Sequence, residues 1–456
     1  MTGISEKSLG QSIDSTEILQ RLAHCPFRGK VYLVGGAIRE IALGALPRDY
    51  DFALSDPDDL KLIEQVFSRR AFVLGKKPIH ACRITADETI LDVTILETSI
   101  ERDLSRRDFT INAIAFDLST GSIIDPLRGL HDIERRVIRY PNPETIPNDP
   151  LRLVKAIRHY TTLNGFSIDP ELIQAITSNR ELVRMTAPER VKYECDLIMS
   201  SRNVGRGIEM LATTGVLSEI VPELRALREM DIEKGFVLET YGHTISGFSF
   251  LYSRGEKYVQ NAGSLKDVGW ALLFHDLGKA STYSFDTKKR LVHFFNHERI
   301  SRHIAINIME RLRFSTQEIK RITTLIEHHM RIFLISSSDA TEKAIRRLIY
   351  KMGDLTPSLI ALTLCDMYGS SGGQENPSTL QVVQNCDAII SAYHESKKRP
   401  LSRLVSGDDL LAIGFSEGPF LGKCLDTIRD RQVAGEISTR DEAMEMAGRM
   451  LLNHEE

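Results

Sequence analysis

The 456-residue chain reads as an α/β head followed by a long all-α body. Three observations predict this. Short apolar strand-like runs alternate with helical runs through the N-terminal part. From "RRDFTINAIAFDL" onward the pattern turns mostly helical and stays so to the end. The length exceeds what one core can hold, so about two to four domains are expected.

Taken in order, "KVYLVGG" is a short apolar strand closing in a Gly-Gly turn, "AIREIALGAL" a helix, and "YDFAL" the next strand. "DPDDLKLIEQVFSRR" begins with acids and ends with arginines, as a helix dipole favours. "AFVLG", "ACRIT" and "TILDVTIL" follow as strands. "RYPNPETIPNDP" carries four prolines and reads as a boundary loop, and "SSGGQENPS" (Ser370 to Ser378) as a second linker. These breaks suggest four parts: 1–140, 141–235, 236–370 and 371–456.

A hydrophobic fraction of 42% and a charged fraction of 26% are those of a globular protein. No apolar run approaches a membrane span, and "MTGISEKSLGQS" lacks the regions of a signal peptide, so no membrane partner is expected. Six scattered cysteines without a CxxC pair point to reduced thiols in a cytoplasmic protein. A net charge of −4 gives no global pull toward nucleic acid, so any polyanion site must be a local basic surface.

In "RDYDFAL", Asp49 and Asp51 are two apart on a strand and project to one face. Upstream, Gly35 and Gly36 would let backbone N–H groups approach an anion at the start of the next helix. Asp92 lies between apolar neighbours on a later strand. Three acids beside a phosphate cradle suit two-metal phosphoryl transfer, in which one metal activates a hydroxyl and the other neutralises the leaving group.

"LVGGAIRE…PRDYDFAL", then "RRDFTINAIAFD…GSIIDPLRGLHDIERRVIR" and "NDPLRLVKAIRHYTTLNGFSID", resembles class II tRNA nucleotidyltransferases and bacterial poly(A) polymerases. The resemblance is close over about residues 30 to 225 and looser beyond. It implies a nucleotidyltransferase sheet in the head and template-independent addition of nucleotides to an RNA 3′ end, with tRNA and CTP, and ATP in some members, as partners. Asp49 and Asp51 would hold Mg2+, and Asp92 would align the 3′-hydroxyl. Gly35, Gly36 and Arg39 would lie near the triphosphate, with Arg107 close by. Asp108 and Asn112, four apart on one helix face, would meet the ribose hydroxyls.

The family's base-reading motif is Glu-Asp-x-x-Arg. Here it is "NDPLR", so Asp149 and Arg152 would pair with the edge of cytosine, while the leading Glu is Asn148. Lys155 and Arg158 lie on the next turns and would reach the phosphates; without the resemblance they read as a solvated basic face. Arg184, Arg190 and Lys192, in the neck segment around "TAPERVKYECDLIMSS", are placed against tRNA phosphates or solvent.

Members that complete CCA carry a flexible loop between the third carboxylate and "RRD". Here "VTILETSIERDLS" alone separates Asp92 from Arg106. The short link points to CC addition, with a separate A-adding enzyme in the same cell. Full CCA addition, poly(A) addition, a stand-alone phosphohydrolase with a degenerate head, and a non-enzymatic tRNA-binding protein are the alternatives.

Seven of the thirteen histidines fall between His243 and His329. "YGHTISG", "ALLFHDLGK", "FFNHERISRH", "LIEHHMRIF" and "LTLCDMYG" resemble an HD domain, a metal-dependent phosphohydrolase module. The resemblance implies a divalent metal on His243, His275, Asp276 and Asp366, and a second on His297 and His328. His293, His303 and His329 are left as surface or packing residues. The C-terminal "VSGDDLLAIGFSEGPFLGKCLDTI" resembles the tail of HD-bearing members and is expected to hold the elbow of a tRNA.

Overall fold

The computed structural model describes residues 5–74, 81–86, 88–237, 239–259, 261–336, 341–399 and 401–455. Among the sequence expectations, Gly75 of "AFVLG" and the first four residues of the N-terminal stretch lie outside these. The chain divides into two compact units. One comprises Met1–Cys195 with Met210–Ile220, the other Asp196–Glu209 with Val221–Glu456.

The first unit is built on a seven-stranded mixed sheet. Its strands are β1 Val31–Val34, β2 Asp49–Leu54, β3 Phe72–Leu74, β4 Ala81–Ala86, β5 Thr89–Ile95, β6 Ala115–Asp117 and β7 Ser122–Ile124, in the spatial order β3-β4-β5-β2-β1-β6-β7. Within this sheet, among the described residues, only β2 and β5 pair in parallel. Tyr50, Phe52 and Leu54 bury one face of β2, as Leu91 and Val93 do for β5. Strand alternation therefore turns Asp49, Asp51 and Asp92 to the other face. On that face Val34 and Ala53 pack against Ile100 and Leu104 of helix α2 (Ile100–Ser105). Helix α1 (Gly36–Ala42) follows β1.

The strands continue beyond the point where the sequence pattern turns helical. β6 and β7 are too short, at three residues each, to show an alternation. "RYPNPETIPNDP" lies inside the first unit, where Thr145–Asn148 forms a single helical turn, rather than between units. It leads into helix α3 (Arg152–Thr162), and helix α4 (Pro188–Met199) lies further on.

The second unit is mainly helical. Helix α5 (Tyr241–Gly247), α6 (Ala262–Phe274), α7 (His297–Arg311), α8 (Thr316–His328) and α9 (Thr356–Ser370) surround its centre. Helix α9 is buried along nearly its whole length, as a helix that is apolar on every side must be. Two glycines bring α5 and α9 together. A Cβ on Gly247 would sit 2.9 Å from the Cys365 carbonyl oxygen, and one on Gly369 would sit 2.5 Å from that of His243. One antiparallel hairpin, Tyr283–Asp286 with Leu291–Phe294, interrupts the helices.

"SSGGQENPS" is a tight turn within this unit rather than a linker. Gly372 and Gly373 take positive φ after α9, and Asn376 caps the next helix, Pro377–Lys398, with Pro at its first position. The tail has its own small cluster of Val405, Leu410, Phe415, Cys424, Ile428, Ala443 and Ala447. No helix among the described residues is long and apolar enough to cross a membrane.

Candidate functional site

In the first unit, register lays the acids out in a row. Asp51 of β2 is opposite Asp92 of β5, Asp92 is opposite Arg83 of β4, and Asp51 faces Val34 of β1 on its other side. Arg83 donates from Nε to Oδ1 and from Nη2 to Oδ2 of Asp92, both at 2.7 Å. Burial pushes the Asp51 carboxyl above its usual range, against the pull of Arg107. The oxygens of Asp49, Asp51 and Asp92 are not among the three-residue groups, in the described residues, whose ligand atoms all lie within 4.8 Å of one another. The row is a set of acids on one face with the Arg83 guanidinium at its end.

Gly35 opens this face. Its φ is +81°, and a Cβ there would sit 2.9 Å from Arg107 Nη1 and 3.0 Å from Asp51 Oδ2. Only glycine leaves Arg107 and Asp51 this close to the backbone. The Gly35 N–H, however, donates to the Ile114 carbonyl at 3.2 Å, so this amide belongs to the sheet and not to an anion cradle. Arg39 also departs from expectation. It is 7% exposed, turned inward onto Asn112 Oδ1, and burial lowers its pKa.

Asp108 and Asn112 share no α-helix. Asp108 precedes a short 3-10 turn, Thr110–Asn112, because Phe109 is extended. The two side chains still meet, since Asn112 Nδ2 donates to Asp108 Oδ1 at 2.9 Å. Lys155 reaches Asp108 Oδ2 at 3.3 Å. Burial alone would raise the Asp108 pKa, but Lys155, Asn112 and the Phe109 N–H together hold it below the usual range. His159 lies behind, with Nε2 3.5 Å from Asn112 Nδ2, and burial among Arg158, Arg39 and Lys155 keeps it neutral.

Arg107 is fixed by Asp103, which accepts from its Nε at 3.1 Å and its Nη2 at 3.0 Å and also binds Arg106. Sequence reasoning passed over Asp103. Its spacing of three and four residues from the two arginines that follow the helix was the available signal. Arg83 carried no such signal, because only strand pairing brings it to Asp92.

Arg152, Lys155 and Arg158 form one stripe of α3, and each is occupied rather than solvated. Arg152 donates to the carbonyls of Thr145 at 3.0 Å and Arg106 at 2.8 Å. Arg158 donates to Glu194 at 2.9 Å. Asp149 accepts from Arg190 at 3.1 and 3.4 Å. Arg184 pairs with the buried Glu219.

The second unit holds a cluster of imidazoles and carboxylates. His243 on α5, His275 and Asp276 at the end of α6, His297 at the start of α7, His329 just past α8 and Asp366 on α9 converge. Asp276 lies between two pairs of rings. Its Oδ2 is 2.9 Å from His243 Nε2 and 3.2 Å from His275 Nε2, and its Oδ1 is 3.2 Å from His297 Nε2 and 4.0 Å from His329 Nε2. Asp366 Oδ1 is 3.5 and 3.6 Å from the first two rings.

The histidine that joins His297 is His329, with Nε2 atoms 3.1 Å apart, and not its neighbour His328. His328 is buried outside both groups that could hold a metal. Adjacent residues of a helix point about 100° apart, and here it is the His329 ring that turns toward His297.

Three rings are anchored alike. His275 Nδ1 donates to the Leu272 carbonyl at 2.7 Å, His297 Nδ1 to Phe294 at 2.8 Å and His329 Nδ1 to Ile326 at 2.7 Å. A carbonyl only accepts, so each Nδ1 carries the proton and each Nε2 offers a lone pair inward when neutral. The donor set and its anchoring fit divalent metal. Burial disfavours charging His275, yet Asp276 and Asp366 outweigh it and push its pKa up to about 10; burial drops His329 to about 4.

Three family models match along the chain. Residues 31–139 match the poly A polymerase head domain, 165–227 a probable RNA and SrmB-binding site of polymerase A, and 240–389 the HD domain. An A-adding tRNA nucleotidyltransferase of Deinococcus radiodurans is 31% identical over 92% of this chain and 95% of its own length. A CC-adding tRNA nucleotidyltransferase of Thermus thermophilus is 30% identical over 90% and 91%. A Thermotoga maritima CCA-adding enzyme solved with tRNA shares the fold, with a TM-score of 0.65 at 17% identity over 98% of both chains. The chain therefore belongs to the tRNA nucleotidyltransferases of the CCA-adding enzyme family, with a poly(A) polymerase head and an HD domain.

Proposed function

We propose that this tRNA nucleotidyltransferase adds CMP residues to tRNA 3′ ends from CTP, stopping at CC, in the cytoplasm. A second enzyme would then add the terminal A. One observation carries the choice of CC. After β5 ends at Ile95 the chain runs directly into α2, whose N-cap Ser99 accepts from the Arg102 N–H, and then into Arg106 and Arg107. This interval is strand, short turn and capped helix, with no length left for a mobile loop.

In this reading Asp49 and Asp51 would hold Mg2+, which when bound activates the attacking hydroxyl and neutralises phosphate charge. The 3′-hydroxyl oxygen forms a bond to the α-phosphorus of CTP, and the bond to pyrophosphate breaks. Asp92, gripped by Arg83, would align the hydroxyl. Asp108 accepts from the ribose. Asp149 accepts from the exocyclic amine of cytosine, and Arg152 donates through the N–H groups its two carbonyl partners leave free. The helical segment from 141 and the tail from 371 would carry the tRNA.

The test is a tRNA transcript lacking CCA, incubated with Mg2+ and CTP with or without ATP, and a transcript ending in CC incubated with ATP alone. Two additions to the first and none to the second support CC addition. A third addition overturns it in favour of full CCA synthesis. Addition only to the CC-ended transcript would align the chain with its A-adding relative.

The anchored imidazoles support a second activity at the HD centre. His243, His275, Asp276 and Asp366 would hold one divalent metal and Asp276, His297 and His329 another, supplying activated water for phosphoester hydrolysis. Metal content of the purified chain and release of nitrophenol from p-nitrophenyl phosphate test this; a metal-free chain inert in every divalent ion would leave the HD domain as packing.

A further inference from the structure

We propose that Arg190 is a specificity-determining positioning residue, holding the carboxylate of Asp149 at the edge where the incoming base is read. The inference rests on the nucleotide-transfer reading above. Arg190 Nη1 donates to Asp149 Oδ1 at 3.4 Å and Nη2 to Oδ2 at 3.1 Å, and the Leu151 N–H donates to Oδ1 at 3.4 Å. A carboxylate has about four acceptor positions. Three are taken, and the one left lies on Oδ2. The planar guanidinium fork also sets the plane of the carboxylate, which an ammonium does not do.

The neighbouring residues support this. Asn148, in the place of the family's Glu, is exposed, and its side chain bonds to neither Asp149 nor Arg152. Arg152 is held instead by two backbone carbonyls. One turn after Arg190, the buried Glu194 grips Arg158 of α3 at 2.9 Å. One face of α4 therefore holds the base-reading segment at both Asp149 and Arg158. The Arg190–Asp149 pair is itself partly open, with side chains 51% and 32% exposed. A pair so placed adds little to stability, so Arg190→Ala is expected to fold.

The experiment measures kcat/KM for CTP and for UTP on a tRNA lacking CCA, with the full chain. Arg190→Ala is expected to reduce the preference for CTP about tenfold, the scale of one bidentate base contact. Arg190→Lys should recover part of it, because it returns the charge without the fork. Asn148→Ala should leave the preference unchanged. Melting temperatures of all three should match the parent. If Arg190→Ala lowers both nucleotides equally, or raises only the KM for tRNA, Arg190 is a phosphate contact or a structural residue and the proposal fails alone. A parent chain that transfers no nucleotide would overturn the reading beneath it as well.

Discussion

Arg83 and Asp92 face each other across β4 and β5, and both carboxylate oxygens of Asp92 are held by one guanidinium at 2.7 Å. The fork fixes the plane of the Asp92 carboxylate. Removing Arg83 takes a positive charge from beside three acids and frees Asp92. Arg83→Ala is expected to need several-fold less Mg2+ for half-maximal transfer, as Coulomb attraction grows, while kcat falls on the order of tenfold because Asp92 loses its orientation. An unchanged Mg2+ requirement in a titration of initial rates would contradict this.

Gly35 is expected to be intolerant of any side chain. A Cβ would meet Arg107 Nη1 and Asp51 Oδ2 at 2.9 and 3.0 Å, on a backbone with φ of +81°. Gly35→Ala should cost about 1–3 kcal/mol from the backbone alone, since φ +81° with ψ −139° is a region essentially only glycine enters. It should also lower transfer well beyond what the melting shift explains, since Arg107 and Asp51 are displaced. A variant as active as the parent in the transcript assay would show that transfer does not need this closeness.

Asp103 provides a pH test. It is 7% exposed, and although burial alone would raise its pKa, Arg107 and Arg106 hold it below the ordinary 3.8. A depressed carboxylate stabilises the fold above its unfolded value and loses that contribution as pH falls through 3.8 toward the lower folded value. Asp103→Asn should destabilise by about 2 kcal/mol at neutral pH. The gap between variant and parent should close on acidification through that window. Urea unfolding at several pH values checks it, and a pH-independent gap would assign the loss to packing.

At the HD centre, neighbouring histidines are expected to behave differently. His329→Ala removes an inward Nε2 donor, whereas His328→Ala removes a ring outside the metal-holding groups. The first should lose bound metal by elemental analysis, with affinity down about 10–100-fold, and the second should keep it. Both should retain nucleotide transfer. Equal metal loss in the two variants would make the effect one of folding.

Several parts of this protein were legible from its residues. The strand carrying Asp49 and Asp51, the Gly-Gly turn before it and the His-Asp pair ending an apolar helix all follow from local rules of spacing and propensity. The order of the motifs also pointed to the family, because chemistry at such sites demands particular residue types at particular intervals. Sequence spacing misled where an i, i+4 interval was read as an α-helix at Asp108 and Asn112. An extended Phe109 and a 3-10 turn bring those two together by another route.

What the chain determined by itself was which residues sit on which face of a local element, since that depends only on periods of two and of 3.6. The partners across elements were decided by tertiary structure. Arg83 meets Asp92 through strand register, Arg190 meets Asp149 across 41 residues, and His329 rather than His328 turns toward His297 across 32. Such pairings depend on how elements dock, and docking is set by the burial of apolar faces such as those of Phe52, Leu91 and Leu104. The polar residues that complete each site are carried into place by that packing.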